Sequence, residues 1–271
     1  MKKILPILLV LCWALPAHAF MKEGCGAGKC IDCHTLNVPE ATKLLHKGVD
    51  QVLAVRLSEV PGFWLVEAEK DSHKFPLYID FSKKYVFAGN IYRLQDQSNI
   101  TSERQSEFNR VDVSKIPVDD ALLLGSADAK FKIIVFTDPE CPFCKKMHAQ
   151  MQEVVKQDPN VAFLLKMFPL KIHPGAYEAA KSIVCNKSLE MLQDSYDGKQ
   201  IPPPLCETKV VDQNIALAHQ LGIHSTPTMV LPDGRVFPGY KKAADILRLL
   251  ASPAAPPEVP AAAPPASAAG K

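Results

Sequence analysis

The hydrophobic and polar positions in the first half of the chain predict a small layer of one helix and several strands. A helix is expected over residues 38–47, because Pro39 suits a helix start and Gly48 a helix end. Runs rich in Val, Phe, Tyr and Leu follow, separated by turn residues, and they predict antiparallel strands at 52–60, 63–68, 75–81 and 85–89. A polar stretch at 94–109 is expected to form a helical or extended connection.

The second half of the chain alternates between strand and helix patterns. Apolar runs predict strands at residues 131–137, 161–168, 228–231 and 235–237, and helical patterns cover residues 144–157, 176–185, 213–221 and 243–250. The order is βαβ, a helical insert and then ββα, which predicts a mixed sheet with helices on both faces. Residues 251–271 are almost all Ala and Pro and are expected to form a disordered tail.

The N-terminus has the three regions of a secretory signal. Lys2 and Lys3 precede an apolar stretch at residues 4–15, and Ala17-His18-Ala19 supplies small residues for cleavage before Phe20. The apolar stretch is too short to span a bilayer. Residues 1–19 are therefore predicted to be a signal peptide, and the mature chain is predicted to be exported.

Charge and length narrow the classes of function. Removing the signal takes two lysines from the 31 basic residues and nothing from the 29 acidic ones, which leaves 29 of each. Such a balance gives no reason to expect nucleic acid or anionic lipid as a partner. About 250 mature residues allow two domains with their own hydrophobic cores. Disulfide cross-links are therefore not needed to stabilise the fold, and the cysteines are expected to have chemical roles.

Residues 141–144 read Cys-Pro-Phe-Cys and lie between a predicted strand and a predicted helix. Amides and the dipole at a helix N-terminus stabilise a thiolate, so the pKa of Cys141 is expected to lie well below the free-thiol value of about 8.5. Cys144, one helical turn later, is the natural resolving thiol. A zinc site would need another closely spaced pair, and Cys185 and Cys206 are far apart in sequence, so redox chemistry is the favoured interpretation.

Thr226-Pro227-Thr228 stands at the entrance of a predicted strand, where proline is unfavourable because it has no amide to donate to the sheet. A cis proline at the strand start would resolve this conflict. An ordinary trans proline in a loop is the alternative, since only about 5 to 6 per cent of X-Pro bonds in folded proteins are cis.

Taken in order, these motifs resemble thioredoxin-fold proteins, and among them the periplasmic disulfide isomerases of the DsbC/DsbG type. The likeness covers about residues 36–250. The pair Cys185 and Cys206 resembles the structural disulfide of that family. Besides Cys-Pro-Phe-Cys, the segments that carry the resemblance are Phe136-Thr137-Asp138, Lys146-Met147-His148, Leu221-Gly222-Ile223, Thr226-Pro227-Thr228 and Pro238-Gly239-Tyr240.

The resemblance implies a thiol:disulfide interchange enzyme that needs no cofactor. Cys141 would be the attacking thiolate and Cys144 the resolver. Thr226 and a cis Pro227, with Pro142 and Phe143, would shape the substrate groove. The resemblance also implies a periplasmic homodimer with a chaperone-like cleft, which acts on unfolded or misoxidised exported proteins and is recharged by a membrane thiol reductase of the DsbD type.

The implied fold class is α/β: a thioredoxin-like catalytic domain with a helical insert, plus a small α+β N-terminal dimerisation domain. That smaller domain would be a helix and an antiparallel sheet of cystatin-like form. The expected boundaries are a signal peptide at 1–19, a Cys-rich segment at 20–35, the dimerisation domain at 36–93, a linker at 94–118, the thioredoxin-like domain at 119–250 and the tail at 251–271.

Two features are unusual for the DsbC type. Pro142-Phe143 stands where a Gly-Tyr pair is expected, and because this dipeptide tunes the redox potential, the sequence does not rank isomerase, reductase and oxidase activities. Residues 131–136 offer Lys132 as their single charge and no carboxylate to be buried beside the cysteines. The proton acceptor is therefore unassigned.

A second motif, Cys30-Ile31-Asp32-Cys33-His34, has the spacing of a c-type haem attachment site. Export makes attachment possible, but residues 20–36 are too few for a cytochrome fold, and His46 and Met21 are distal candidates only by proximity. The alternatives are a Cys30–Cys33 disulfide or a metal site with Cys25. If Cys141 pairs with Cys144, Cys185 with Cys206 and Cys30 with Cys33, Cys25 has no assigned partner.

Two rival functions follow from these motifs. One is a disulfide oxidase that donates a Cys141–Cys144 disulfide. The other is an electron-transfer or redox-sensing module built on Cys30, Cys33 and His34. The remaining histidines are scattered and are expected to make local hydrogen bonds rather than bind metal: His148, His173, His219 and His224.

Overall fold

The computed structural model describes residues 34–71 and 73–252. Its N-terminal layer is one helix and an antiparallel sheet in the strand order β1-β2-β3-β4. The predicted helix and meander are therefore present. The elements are α1 (Val38–Leu45), β1 (Gln51–Leu57), β2 (Phe63–Lys70), β3 (His73–Asp80) and β4 (Val86–Phe87).

Helix α1 begins where its sequence provides a cap. The Asn37 side chain accepts a hydrogen bond from the Glu40 amide at 2.9 Å. The helix buries Ala41 against the sheet, where Trp64 and Val66 belong to the same apolar cluster. This cluster is separate from those of the second sheet, so the N-terminal layer has a core of its own.

The second sheet is mixed and has the strand order β5-β7-β6-β8-β9. Strands β6 and β7 are parallel, and the other neighbours are antiparallel. The strands are β5 (Leu122–Leu124), β6 (Phe131–Thr137), β7 (Val161–Met167), β8 (Thr228–Val230) and β9 (Val236–Pro238). The helices are α3 (Pro142–Gln157), α4 (Ala176–Asn186), α5 (Leu189–Tyr196), α6 (Val210–Gln220) and α7 (Ala243–Ala251).

Helices cover both faces of this sheet. Alternate residues of the central strand β6 point to opposite sides. Ile133 and Val135 lie in a cluster with residues of α3, α5 and α7, whereas Ile134 and Phe136 lie in another with Ala218 of α6. Burial on both faces explains why β6 is almost continuously apolar. The predicted mixed sheet with helices on both faces is confirmed.

The sequence analysis missed β5 and α5. Strand β5 is only 3 residues long, too short for a periodic signal. Helix α5 follows α4 after a very short connection, and its first turn is capped by Ser188, whose side chain accepts from the Met191 amide at 3.0 Å. That serine was the signal that could have located the helix.

Helix α2 (Ile100–Phe108) and a 3-10 turn (Val113–Lys115) occupy the polar stretch between the sheets. Helix α2 packs against both β3 and β9, and Arg248 of α7 pairs with Glu103 at 2.7 Å. The Val111 amide donates to the Gly234 carbonyl at 2.9 Å. Gly234 has a φ of +85°, and a Cβ there would clash with the Val111 carbonyl, so this close approach requires glycine.

A buried ion pair fixes the segment that leads into the second sheet. The Lys166 side chain on β7 is 1% exposed, and its ammonium contacts Asp120 at 2.5 Å and the Pro117 carbonyl at 2.7 Å. Asn214 of α6 donates to the other Asp120 oxygen at 2.9 Å. Because a buried charge is tolerated only with a partner, this pair ties the residues before β5 to β7 and α6.

Among residues 34–71 and 73–252, no helix is long and apolar enough to cross a bilayer. The predicted signal peptide, most of the Cys-rich segment and nearly all of the predicted tail lie outside the described residues.

Candidate active site

Cys141 and Cys144 lie at the N-terminal end of α3, directly beyond β6. Cys141 is the N-cap residue and Pro142 begins the helix, two residues earlier than predicted, because proline pre-sets the backbone of a first turn. Cys141 is 5% exposed and Cys144 is completely buried. Only the outer sulfur, that of Cys141, is accessible to a substrate.

Hydrogen bonds lower the pKa of Cys141 to about 5. The hydrogen bond from the Cys144 thiol contributes most, and the amides of Cys144 and Phe143 and the side chain of Thr226 add to it, while burial opposes the shift. Cys141 is therefore almost wholly a thiolate at neutral pH. This is the direction expected for a cysteine at a helix start.

The pKa of Cys144 moves in the opposite direction. Burial raises it far above the ordinary thiol value, and the neighbouring Cys141 raises it further. The Asp138 amide reaches Cys144 Sγ at 3.4 Å, and the Thr137 hydroxyl beside it opposes the rise. Thr137 Oγ1 is in turn 2.8 Å from the Tyr196 hydroxyl of α5. Two sulfurs one helical turn apart thus prefer opposite protonation states.

The Thr226–Pro227 peptide is cis and lies against Cys141. Cys141 Sγ is 3.6 Å from the Thr226 carbonyl oxygen. The Thr226 hydroxyl is buried and, in the described part of the chain, has no hydrogen-bond partner other than the Cys141 thiolate that it helps to stabilise. The Gly239 amide donates to the Pro227 carbonyl at 2.7 Å and supports the loop from β9.

The strand before the cysteines carries no carboxylate, as expected, but the residue that follows it does. Asp138, the first residue after β6, is fully buried. Its carboxylate accepts from the Glu140 amide at 2.8 Å, the Leu170 amide at 2.7 Å and His173 Nδ1 at 2.8 Å. The sequence analysis considered only residues 131–136 and stopped short of it. The available signal was an acidic residue between an apolar strand and the cysteine motif.

Pro142 and Phe143 form the outer face of the cysteine motif. Both are exposed, and the Lys146 ammonium lies 5.5 Å from the centroid of the Phe143 ring. Ile172, also exposed, belongs to the β7–α4 connection that Asp138 anchors. Exposed apolar side chains thus lie on two segments, the start of α3 and the β7–α4 connection.

A groove of about 580 Å³ opens beside Cys141 on the side of the helical insert. It is bounded by the β6–α3 connection, by α3 and α4, and by the segment that follows α5. Charges of both signs line it: Glu140 and Glu178 against Lys145 and Lys199. Thr226 does not line this groove, whereas Cys141 does.

Cys185 and Cys206 form a disulfide, with Cα atoms 5.8 Å apart. The bond joins the last turn of α4 to the segment before α6 and so closes the helical insert. It leaves Cys141 and Cys144 as the free cysteines of the described residues.

Among the described residues, no group of three or more His, Cys, Asp or Glu side chains is arranged to hold a metal ion. His173 makes a hydrogen bond of the expected local kind, with Asp138. His148 differs, because its Nδ1 is buried and unsatisfied by any described side chain or backbone group, and burial lowers its pKa. The rings of His219 and His224 face each other with centroids 5.6 Å apart.

The second cysteine motif is described only at its last residue. The His34 ring stacks on Phe81, with centroids 4.6 Å apart, and Phe81 contacts Trp64 at 5.3 Å. The end of the motif therefore lies on the N-terminal layer. Cys25, Cys30 and Cys33 lie outside the described residues.

Comparison with known proteins identifies the family. A family model described as a thioredoxin-like domain matches residues 118–252. The thiol:disulfide interchange protein DsbC of Salmonella typhimurium is 30% identical over 175 residues, which cover 63% of this chain and 70% of that protein. The chain belongs to the DsbC family. DsbC of Escherichia coli K12 is 28% identical, covering 61% of this chain and 68% of that protein.

One solved structure, a disulfide interchange protein from Neisseria gonorrhoeae, is 26% identical and covers 50% of this chain and 96% of its own, with a TM-score of 0.44. The resemblance to the DsbC family that the motifs indicated is confirmed by the curated relatives. This member of the DsbC family is a thiol:disulfide oxidoreductase with a thioredoxin-like α/β domain.

The two pKa shifts predict unequal reactivity of the two free cysteines. In the reduced protein near pH 6, iodoacetamide should label Cys141 at least about tenfold faster than Cys144, because the thiolate is the nucleophile. The Cys141 rate should stay nearly constant between about pH 8 and pH 6 and fall as the pH passes below about 5. Quenched time points with peptide mass mapping measure both rates. Equal rates at the two positions would remove the assignment of the nucleophile.

Proposed function

We propose that this protein is an exported isomerase or reductase of disulfides, in which Cys141 attacks and Cys144 resolves. The observation that carries the proposal is the opposite shift of the two pKa values, to about 5 for Cys141 and far upward for Cys144. In such a pair, the thiolate of one cysteine attacks, and the other cysteine stays protonated until the mixed disulfide must be resolved. Membership of the DsbC family supports the same chemistry.

In the first step, the Cys141 thiolate attacks one sulfur of a substrate disulfide. A bond forms between Cys141 Sγ and that sulfur, the substrate S–S bond breaks, and the second substrate sulfur leaves as a thiolate that takes a proton from water. The buried Thr226 hydroxyl supports this step, because it can donate to the attacking sulfur and hold it beside the cis proline.

The mixed disulfide then has two fates. In isomerisation, another substrate thiolate attacks the substrate sulfur, a new substrate disulfide forms and Cys141 leaves as a thiolate. In reduction, Cys144 loses its proton and attacks Cys141 Sγ, and the substrate leaves as a thiolate. The second route is slowed because Cys144 must ionise while buried, with the Thr137 hydroxyl as a donor to the new thiolate. The delay favours isomerisation.

The proposed substrates are unfolded or misoxidised exported proteins. Their exposed apolar side chains suit the surface formed by Phe143 and Ile172, and the groove of about 580 Å³ offers space on the other side of Cys141. The Thr226 carbonyl next to Cys141 stands at the start of β8, where an extended substrate segment can pair with the backbone. Pro142, Phe143, Thr226 and Pro227 are the proposed groove residues.

We further propose that two copies pair through the N-terminal layer, residues 36–93. Strand β4 is an edge strand. Large apolar side chains at and after it are 43% exposed or more: Tyr85, Val86, Phe87, Tyr92 and Leu94. An exposed apolar edge of this kind is a pairing surface. Two active sites in one dimer would keep a substrate bound through repeated exchanges.

The proposed location is the periplasm, because the signal-like residues 1–19 indicate export. An isomerase must be kept reduced in an oxidising compartment, so a membrane thiol reductase of the DsbD type is the proposed partner. Thiol exchange moves only sulfur bonds, electrons and protons between cysteines, and therefore requires no cofactor.

A disulfide oxidase is a second candidate, and the low pKa of Cys141 favours it. A stable thiolate stabilises the reduced state of the pair, which makes the corresponding disulfide a stronger oxidant. The redox state of the pair in living cells separates the two functions. An isomerase or reductase is maintained with reduced cysteines, whereas an oxidase is maintained with a Cys141–Cys144 disulfide.

Cys144→Ala should trap the proposed intermediate. The Cys141 thiolate still attacks in this variant, but the resolving sulfur is absent, so mixed disulfides with substrates accumulate. Non-reducing gels of the exported fraction should show adducts that disappear on reduction. The matched control Cys141→Ala, which keeps Cys144, should show none. Adducts of equal yield in both variants would contradict the assigned roles.

Val86→Asp in the full mature chain should prevent pairing of the N-terminal layers, because it places a charge on the apolar edge. Sedimentation should show a dimer for the parent chain and a monomer for the variant. The variant should still reduce a simple disulfide but lose most of its ability to rescue a scrambled multi-disulfide protein. Ala149→Asp, at an exposed position on α3, is the matched control. A monomeric parent chain would refute the dimer.

The Cys30-Ile31-Asp32-Cys33-His34 motif keeps a haem-containing electron-transfer or redox-sensing module as a third candidate. The main proposal predicts that the mature protein from its native host has no Soret band. Haem held by thioether bonds would instead give a Soret band that survives denaturation, is lost in Cys30→Ala/Cys33→Ala and is kept in Cys141→Ala/Cys144→Ala. That pattern would establish the haem site.

A further inference from the structure

The connection from β7 to α4 is hydrogen-bonded to two carboxylates of the active-site segment. Asp138 accepts from the Leu170 amide at 2.7 Å and from His173 Nδ1 at 2.8 Å. Glu140 accepts from the Gly175 amide at 3.2 Å. A Cβ at position 175 would clash with the Glu140 carboxylate, so glycine permits this approach. These hydrogen bonds hold residues 170–175 next to the segment that leads into the cysteine motif.

His173 bridges the buried carboxylate and the surface. Its side chain is 19% exposed, whereas that of Asp138 is completely buried. Partial burial lowers the pKa of His173, but the hydrogen bond to Asp138 and the negative charges of Asp138, Cys141 and Glu140 outweigh that effect, so its pKa is raised. Asp138 binds His173 through its carboxylate and reaches Cys144 Sγ through its amide at 3.4 Å, so one residue links the imidazole to the cysteine motif.

Resting on the proposed role of Cys141 as the attacking thiolate, we propose that His173 is an electrostatic partner of that thiolate and that Asp138 positions it. In the reduced protein, the positive charge of a protonated His173 would attract the negative charge of the Cys141 sulfur. In a disulfide the same sulfur carries no charge, and the attraction disappears. No proton passes between His173 and Cys141 in this step, so the exchange itself remains a transfer of sulfur bonds.

Charged and titratable groups from every neighbouring segment face this region. Lys145 on α3 is engaged with the Tyr196 carbonyl at 2.8 Å and with Asp197 at 3.0 Å, so its charge is directed toward α5. The other groups are Asp138 and Glu140 in the β6–α3 connection, Cys144 on α3, Glu178 on α4 and Lys171 beside His173. Among them, His173 is the group that makes a hydrogen bond to the buried Asp138 carboxylate, and the charge of Cys141 contributes to its raised pKa.

The proposal predicts a matched pair of pKa changes, because an electrostatic interaction acts equally on both groups. When two titrating groups interact, each shifts the pKa of the other by the same amount. The pKa of His173 should therefore be higher in the reduced protein than in the oxidised protein. The difference should equal the rise in the Cys141 pKa that follows removal of the His173 charge. A histidine with a purely structural role would show no such dependence on the redox state of Cys141.

The experiment combines two measurements on the full mature chain. First, an NMR titration of the His173 imidazole is recorded for the reduced and oxidised wild-type protein. Second, the pH profile of Cys141 alkylation is compared for wild type, His173→Asn and Lys171→Gln. Asn keeps an amide nitrogen near the position of Nδ1 to donate to Asp138 but carries no charge. Lys171→Gln removes one positive charge from the same exposed loop and is the matched control.

We expect the pKa of His173 to fall on oxidation. We also expect His173→Asn to slow alkylation of Cys141 near pH 4, below the thiolate pKa of about 5, by about threefold to tenfold, which corresponds to a rise in that pKa of about half a unit to one unit. Lys171→Gln should change the rate by less than about twofold, as expected for an exposed, screened charge.

An identical His173 pKa in both redox states overturns the proposal, and so does an unchanged Cys141 profile in folded His173→Asn. If that variant does not fold, the wild-type titration alone decides. Failure of the proposed function looks different, because the wild-type protein would then show no preferential labelling of Cys141 over Cys144.

Discussion

The buried carboxylate of Asp138 is the interaction on which the active site depends. An unpaired buried charge costs several kcal/mol, so its oxygens must be hydrogen-bonded. The donors come from two separate connections: Glu140 after β6, and Leu170 and His173 after β7. The amide of the same residue reaches Cys144 Sγ. One residue, through its side chain and its amide, therefore fixes the approach to α3, the neighbouring loop and the surroundings of the resolving cysteine.

The start of α3 places two chemically identical side chains in different environments. Cys141 receives hydrogen bonds and is a stable thiolate, whereas Cys144 is enclosed by protein and stays protonated. The Thr137–Tyr196 hydroxyl pair extends the enclosure into α5. This difference in protonation matters for disulfide interchange. Cys141 can act both as nucleophile and as leaving group, and Cys144 reacts only after it ionises, so a mixed disulfide can persist.

The N-terminal layer has a core of its own and is also joined to the catalytic domain. Helix α2 packs between β3 and β9, and the Glu103–Arg248 pair and the Val111–Gly234 hydrogen bond reinforce the contact. The predicted linker is thus partly a helix with packing partners on both sides, although its composition is polar. The apolar edge at residues 85–94 stays exposed in the single chain and is the surface on which the proposed pairing depends.

The sequence by itself determined the order of most strands and helices, though not β5 and α5, the place of the cysteine motif between β6 and α3, and the family. These features follow from local periodicity and from motifs read along the chain. Only the tertiary structure decided which groups surround the two sulfurs. Asp138 meets His173 across 35 positions and Thr137 meets Tyr196 across 59. Such contacts depend on how the sheet, the insert and the connecting loops pack together, and no local pattern in the sequence encodes that packing.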